Sequence, residues 1–536
     1  MATLSLISPD GVRDIDFTPP ERLYDLLARN GTPIHAPCGG HGICRQCVIT
    51  VTGALSEPDS AERERLACAA NLRLACHAVA IGNVTVSFLN RDSCPASDAA
   101  RSMTEGARIQ VDGESPPFAI TPGMTGLGAA VDIGTTTIAA YLYDLASGER
   151  VAAGSALNPQ ATFGADVISR IGASLSGHGR ELARIVCGEI SRLVRNMANA
   201  PGIQIGALQR IIIVGNTAML YLLCELDTKP LSAMPFRADA LFGEYRFPEH
   251  LDLPRSISVY LPRCMSAYVG ADITASLLAG GLIVNGRVHD GAPRMLVDIG
   301  TNGEIALAAG GSLVCCATAA GPAFEGAGIS CGMLAVPGAI DKADFSDGTI
   351  QYSTIGGAPA TGLCGTGLVD TAAALLDAGL MDESGFMGVE CPTSFGAAGQ
   401  SHALIKEGDF TFPGADVAVS QRDMRQLQLA KAAICAGMIT LLAESGLTAA
   451  DVGTLVIAGG FGSHIRASSA ERIGLIPKGL AAKAISIGNG AGVGAGMMLL
   501  NDDIRRQSES IDKVARVVDL STNALFMNSY VNCMMF

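Results

Sequence analysis

Apolar positions along this chain follow two different periods. Alternation over residues 4–7 and 13–17, joined by Pro9-Asp10-Gly11, predicts two strands and a turn. Residues 21–29 put Leu23, Leu26 and Leu27 on one face with Gly31 just beyond, the pattern of a short helix. Strands are also expected at 48–52 and 84–89, so a small β-rich module with one packed helix ends near residue 92. Residues 93–125 lose any period and gather Pro, Gly and Ser, which reads as a linker. Beyond it, apolar strands ended by glycine turns alternate with helical stretches at 181–199, 273–282 and 424–445, the α/β signature. The segments AVDIGTT (130–136) and LVDIGTN (296–302) nearly repeat, which suggests a duplicated α/β fold with two related halves.

Composition narrows the function classes. At ~150 residues per domain, 536 residues suggest three or four. Hydrophobic residues make up 49% and charged ones 16%, which excludes a disordered chain. The net charge of −14, with nothing resembling a basic stripe, argues against a nucleic-acid partner. The opening MATLSLISPDGV has no basic n-region of a signal peptide. The nearest approach to a membrane span, 484–500, is broken by Asn489 and glycines. A cytoplasmic protein without a membrane partner is expected. Its 16 cysteines are too sparse for a secreted disulfide scaffold, so they are core fillers or ligands.

The thiols are unevenly spread. Cys38, Cys44 and Cys47 share one loop, and Cys76 returns after 28 intervening residues. Three thiolates on a loop plus a fourth from elsewhere is the pattern of a tetra-thiolate metal site. Gly39, Gly40 and Gly42 would let backbone N–H groups approach an inorganic cluster, so an iron–sulfur cluster is the favoured reading. Zinc and plain buried thiols are the alternatives. Cys68 rivals Cys76 as fourth ligand; Cys76 is preferred because a strand follows it, as in ferredoxin-like modules. His77 is read as a surface or supporting residue. Cys315, Cys316, Cys331, Cys364 and Cys435 lack ligand spacing and read as filler.

Each DIGT loop ends an apolar strand with an aspartate, then a glycine, then hydroxyls. Gly134, Thr135 and Thr136 in the first, and Gly300, Thr301 and Asn302 in the second, offer N–H and O–H groups to phosphate oxygens. Asp132 and Asp298 can hold Mg²⁺ through water. Gly459, Gly460 and Gly462 follow another apolar strand and suit a flat nucleoside against bare backbone. The segment around Asn489 reads either as the same kind of wall or as a tight helix start. Glu304 and Asp166 are weaker candidates for orienting an attacking water, and Asp166 reads equally well as a helix N-cap. Glu325 could reach the nucleotide, and Asn158 and Gln160 a phosphate or a partner. There is no P-loop and no well-placed dinucleotide fingerprint.

The DIGT pair and GGFG resemble the superfamily of acetate and sugar kinases, heat-shock chaperones and actin. With the cysteine module included, PCGGHGICRQC, RLAC, VDIGTTT, NPQATFGADVISRI, VGNTAM, VDIGTNGEIAL, AGPAFEGAGISCG, CGTGLVD and GGFGSHI resemble the ATP-dependent reductive activators of corrinoid proteins. The resemblance covers essentially the whole chain. It implies a β-grasp ferredoxin-like domain over 1–92 holding a [2Fe–2S] cluster on Cys38, Cys44, Cys47 and Cys76. It further implies a linker at 93–125, a middle domain at 126–206 with the first phosphate loop, and an ATPase domain at 207–536. ATP with Mg²⁺ would drive one electron from a reduced donor protein to a corrinoid-binding protein or methyltransferase, reducing inactive Co(II) to Co(I). A homodimer is also implied. Plant-type clusters sit near roughly −400 mV, and an uphill gap of about 100 mV costs about 2.3 kcal/mol for one electron. A nucleotide-linked conformational change supplies that much. Two other classes remain open: an ATP-regulated binding module with the cluster as redox sensor, and a small-molecule kinase fused to a ferredoxin.

Overall fold

The computed structural model describes residues 1–8, 11–30, 32, 34, 47–59, 62–63, 71–87, 119–198, 205–388, 405–406, 408–462 and 464–536. The expected turn at Pro9-Asp10, the thiols Cys38, Cys44 and Cys68, the end of the 84–89 strand, and the linker up to residue 118 lie outside the described residues.

The N-terminal module is one six-stranded sheet. Its order is Gly11–Phe17, Ala2–Ser8, Val79–Ser87, Val48–Leu55 and Leu72–Leu74, with Glu21–Arg22 also pairing to Val79–Ser87. The first two strands form the expected antiparallel hairpin, while Ala2–Ser8 runs parallel to Val79–Ser87. Helix Leu23–Arg29 buries Leu23, Leu26 and Leu27 in the module's core, as their spacing requires.

Two further six-stranded sheets share five strands of one topology and differ in the sixth, which lies at opposite edges. The first runs Glu244–Tyr245, Ser258–Leu261, Leu208–Gly215, Leu127–Ile133, Thr137–Asp144, Arg150–Leu157. The second runs Ala484–Gly488, Thr454–Ala458, Arg294–Ile299, Gly303–Ala309, Ser312–Thr318, Ala515–Val517. In each, three consecutive strands form an antiparallel meander and later strands add in parallel to the first of them. Leu127–Ile133 is buried at every position, as a strand covered on both faces must be. The duplication read from the DIGT repeat is therefore present in the strand order itself.

The division expected at residue 206 falls inside the first sheet, because Leu208–Gly215 lies between Leu127–Ile133 and Ser258–Leu261. Nor is this half closed by its own stretch of chain. Helix Gly490–Leu500 packs on helix Ala271–Ala279 and on both central strands of the first sheet. Its Val493, Met497 and Leu500 join the first core. The stretch read as membrane-like is thus a strand, Ala484–Gly488, and this buried helix. Helix Gln421–Glu444 is long and apolar enough to cross a membrane by length and composition, and it is mostly buried in the second core. The C-terminal helix Ala524–Asn532 docks on it, with Lys431 Nζ donating to the Cys533 carbonyl at 2.7 Å.

Candidate functional site

In the N-terminal module the antiparallel register Val48↔Leu74 sets Cys47 beside the turn that follows Leu74. Ala75 N–H donates to the Cys47 carbonyl at 2.8 Å, which leaves Cys76 to fold over Cys47. The two buried sulfurs lie 3.0 Å apart, and Cys76 N–H points at Cys47 Sγ at 3.4 Å. Thiols brought together from two strands, with a backbone N–H aimed at sulfur, are a donor set suited to a thiolate-held cluster. Behind them Glu62 and Arg73 form a buried ion pair at 2.8 Å, and Glu62 also accepts from Leu74 N–H at 2.9 Å. His77 turns away to Asp59, its Nδ1 2.6 Å from a carboxylate oxygen.

Both DIGT loops open into one cavity of about 1130 Å³ between the halves. Asp132 and Asp298 occupy equivalent places near the ends of their strands. Glu304 stands opposite Asp298 in the antiparallel register, so the hairpin itself aims a second carboxylate at the cleft. A fourth comes from Asp272, in the first turn of helix Ala271–Ala279. Burial raises all four, and each of three also feels other members of the group. Desolvation, then Asp272, pushes Asp132 up to about 8. Desolvation and Asp298 bring Asp272 to about 7. Burial takes Asp298 to about 6 and drives Glu304 well above the usual carboxylate range. Carboxylates gathered out of water with one another for neighbours favour a bound cation.

The first loop is held from behind. Gly134 N–H donates to Thr137 O at 2.9 Å, and Asn158 donates from its backbone to Thr136 O and from Nδ2 to Gly134 O. Fully buried Arg170 donates to Thr135 O at 2.6 Å and to Gly164 O at 2.9 Å. Asn489 starts a helix, one of its two expected roles, with Oδ1 capping Gly490–Leu500, and its Nδ2 also donates to Asp132 at 3.0 Å. In the second loop Gly300 N–H donates to Asn302 O and Gly321 N–H to Thr301 O, each at 2.9 Å. Gly459 has φ +93°, and a Cβ there would meet Asp298 Oδ1 at 2.5 Å, so only glycine lets this strand end reach the aspartate. Glu325 joins the two loops, accepting from Thr136 Oγ1 at 2.9 Å and Thr301 Oγ1 at 2.8 Å.

Most of the residues singled out for the nucleotide site wall this cavity; Asp166, Gly462, Asn158 and Gln160 do not. Asp166 is the N-cap of helix Val167–Ala173 in a full capping box with Ser169, its Oδ1 accepting from Ser169 N–H at 2.8 Å. Its carboxylate is consumed by that cap. Gly462 is packed on the Ala458 carbonyl, 2.2 Å from where a Cβ would stand, so its role is chain packing. Gln160 is buried, donating to Leu182 O, and Cys315 and Cys316 are buried strand residues, whereas Cys364 lies in the cavity wall. Asp272 escaped the sequence reading, although Gly270-Ala271-Asp272-Ile273 echoes Gly164-Ala165-Asp166-Val167.

Comparisons with known proteins align with this layout. Residues 7–80 match a 2Fe-2S iron-sulfur cluster binding domain, 127–284 the RACo middle region, and 292–536 the C-terminal domain of RACo, the ASKHA domain. The corrinoid activation enzyme RamQ of Eubacterium limosum is 29% identical, over 98% of this chain and 97% of that protein. A [Co(II) methylated amine-specific corrinoid protein] reductase of Methanosarcina barkeri is 25% identical over 75% of this chain and 76% of its own. A solved reductive activator for corrinoid,iron-sulfur protein superposes with a TM-score of 0.67 at 26% identity, covering 99% of this chain and 98% of its own. With all three regions in the same order along one chain, the protein belongs to the RACo family of ATP-dependent reductive activators of corrinoid proteins.

Proposed function

We propose that this protein uses ATP to reduce a corrinoid-binding protein of a methyltransferase system from inactive Co(II) to Co(I). The observation that carries the reading is a pair of converged thiols in a ferredoxin module on the same chain as a two-lobed cleft lined by four raised carboxylates. Cys47 and Cys76, with Cys38 and Cys44 of the preceding loop, would hold a [2Fe–2S] cluster, which supplies low-potential one-electron transfer when bound. Among the described residues, the chain buries Cys47 and Cys76 and aims the Cys76 N–H at Cys47 Sγ. A reduced donor protein must deliver electrons singly, since no flavin or nicotinamide motif accompanies the thiols.

In the cleft, Gly134, Thr135 and Thr136 from one half and Gly300, Thr301 and Asn302 from the other would receive the phosphates of ATP. Asp132 and Asp298, with Asp272 beside them, would hold Mg²⁺, and Glu304 would orient the attacking water. Gly459 and Gly460 would face the adenosine. One ligand gripped by both halves favours the closed arrangement, and a difference of a few kcal/mol in its affinity for two arrangements shifts their balance. The test mixes a reduced one-electron donor, this protein and a Co(II) corrinoid protein, with and without ATP, and follows Co(I) by absorbance. Co(I) is expected only with ATP; equal rates without it would remove the coupling. ATP binding without turnover would instead favour a switch.

A further inference from the structure

We propose that Glu325 is an internal clasp between the two phosphate loops, occupying in the nucleotide-free protein the place that the terminal phosphate of ATP must take. The inference rests on the nucleotide reading above and says how that site is regulated. The hydroxyls of Thr136 and Thr301 come from loops in different halves, yet both donate to one carboxylate, each to its own oxygen, at 2.9 and 2.8 Å. A carboxylate that takes one O–H from each loop presents the acceptors that a phosphate group would present to the same two hydroxyls.

The clasp is built rather than incidental. Glu325 ends the short helix Pro322–Glu325, which lies between Gly321 and Gly326, both at positive φ. Its neighbour Phe324 stacks on Phe461, from the glycine segment after Thr454–Ala458, at 4.8 Å. The turn therefore touches both phosphate loops and the segment read as the adenosine wall. Burial raises the pKa of Glu325, while the Thr301 and Thr136 hydroxyls and the Arg170 guanidinium behind Thr135 favour its charged form. When phosphate oxygens take the two hydroxyls, the carboxylate loses both partners and faces a like charge, so it has to leave. Nucleotide binding would then release the turn, and the native charge would hold ATP affinity below what the loops alone could give.

Titration calorimetry of the full chain with Mg-ATP and Mg-ADP, on wild type, E325Q and E325A, tests this. Glutamine retains a single carbonyl acceptor and no charge, so E325Q should bind ATP about tenfold tighter, with E325A shifting the same way. ADP, lacking the terminal phosphate, should change by less than about threefold. Loss of a merely structural residue would weaken binding. Variants that bind ATP no tighter than wild type would therefore overturn the clasp, and an equal gain for ADP would overturn its assignment to the terminal phosphate. Wild type that binds no ATP would sink the nucleotide reading and the clasp together, a result distinct from the clasp failing alone. If the variants do not fold, hydrogen exchange on wild type decides: amides of 323–327 should exchange faster with ATP, and unchanged or slower exchange counts against release.

Discussion

The two DIGT loops share nearly the same letters and do not share the same surroundings. Behind the first stand a buried guanidinium on Thr135 O, the Asn158 amide on Gly134 O and the Asn489 amide on Asp132. The second has Glu304 across the hairpin from its aspartate and Gly459 pressed against that aspartate's carboxylate. One loop is fixed by donors from its own half and from helix Gly490–Leu500. The other adds a second carboxylate within its own hairpin. Duplicated backbones have thus diverged into a rigid jaw held by buried donors and one that carries a second carboxylate in its own hairpin. A ligand carrying a cation and phosphates would satisfy the second while resting on the first.

The most damaging way to break this contrast is to loosen the rigid jaw. Arg170→Met removes donors from two carbonyls in buried surroundings, Thr135 O and Gly164 O. Unsatisfied buried acceptors cost about 1–3 kcal/mol each, partly offset by losing a guanidinium whose pKa burial already lowers to about 10. A net loss of about 3 kcal/mol, read by denaturant unfolding, should accompany weaker ATP binding. Unchanged ATP affinity in a folded variant would mean that Arg170 supports the fold without shaping the loop.

The carboxylates that both jaws contribute to the cleft are tested by pH. Asp132, Asp272 and Asp298 have folded pKa values raised to about 8, 7 and 6. Between the ordinary carboxylate value and those figures, the fold keeps protons that the unfolded chain has released. Stability therefore falls as pH rises from about 4 towards 8. Without metal, the melting temperature should drop by about 5 °C or more between pH 5 and pH 8, and millimolar Mg²⁺ should restore most of it at pH 8. A flat profile, or one that Mg²⁺ leaves unchanged, would remove the idea that these carboxylates await a cation.

What could be read from the letters was local chemistry; what could not was the company that tertiary packing provides. The strand-Asp-Gly-hydroxyl loops were legible because strand, turn and functional atoms lie within seven residues. The related segments at 164–167 and 270–273 show the limit. In both an aspartate follows Gly-Ala at a helix start, and Asp166 alone reads from the letters as a candidate for the site. One difference of position decides their roles: Asp166 is itself the N-cap and its carboxylate closes a capping box. Gly270 is the N-cap in the other segment, which moves Asp272 into the first turn and into the cleft. The division at 206 crosses the first sheet for a similar reason, and helix Gly490–Leu500 returns to complete a core begun hundreds of residues earlier.

The smallest expected effect sharpens the comparison most directly, because it alters the same letter in both loops. A Cβ on Gly134 would stand 2.7 Å from Thr137 O, a backbone atom fixed in the first hairpin, whereas one on Gly300 would meet nothing nearer than Asn302 O at 3.6 Å. Neither glycine has a positive φ, so crowding alone separates them. Gly134→Ala should cost about 1–3 kcal/mol, the range for overpacking, and Gly300→Ala no more than ~0.5 kcal/mol. Thermal melts of the two variants with Mg-ATP absent and present would tell. If Gly300→Ala proves as costly as Gly134→Ala in the free protein, the second loop is as tightly built as the first, and the asymmetry between the jaws disappears. If it becomes costly only with Mg-ATP bound, the open space beside Gly300 is where the ligand's phosphates lie.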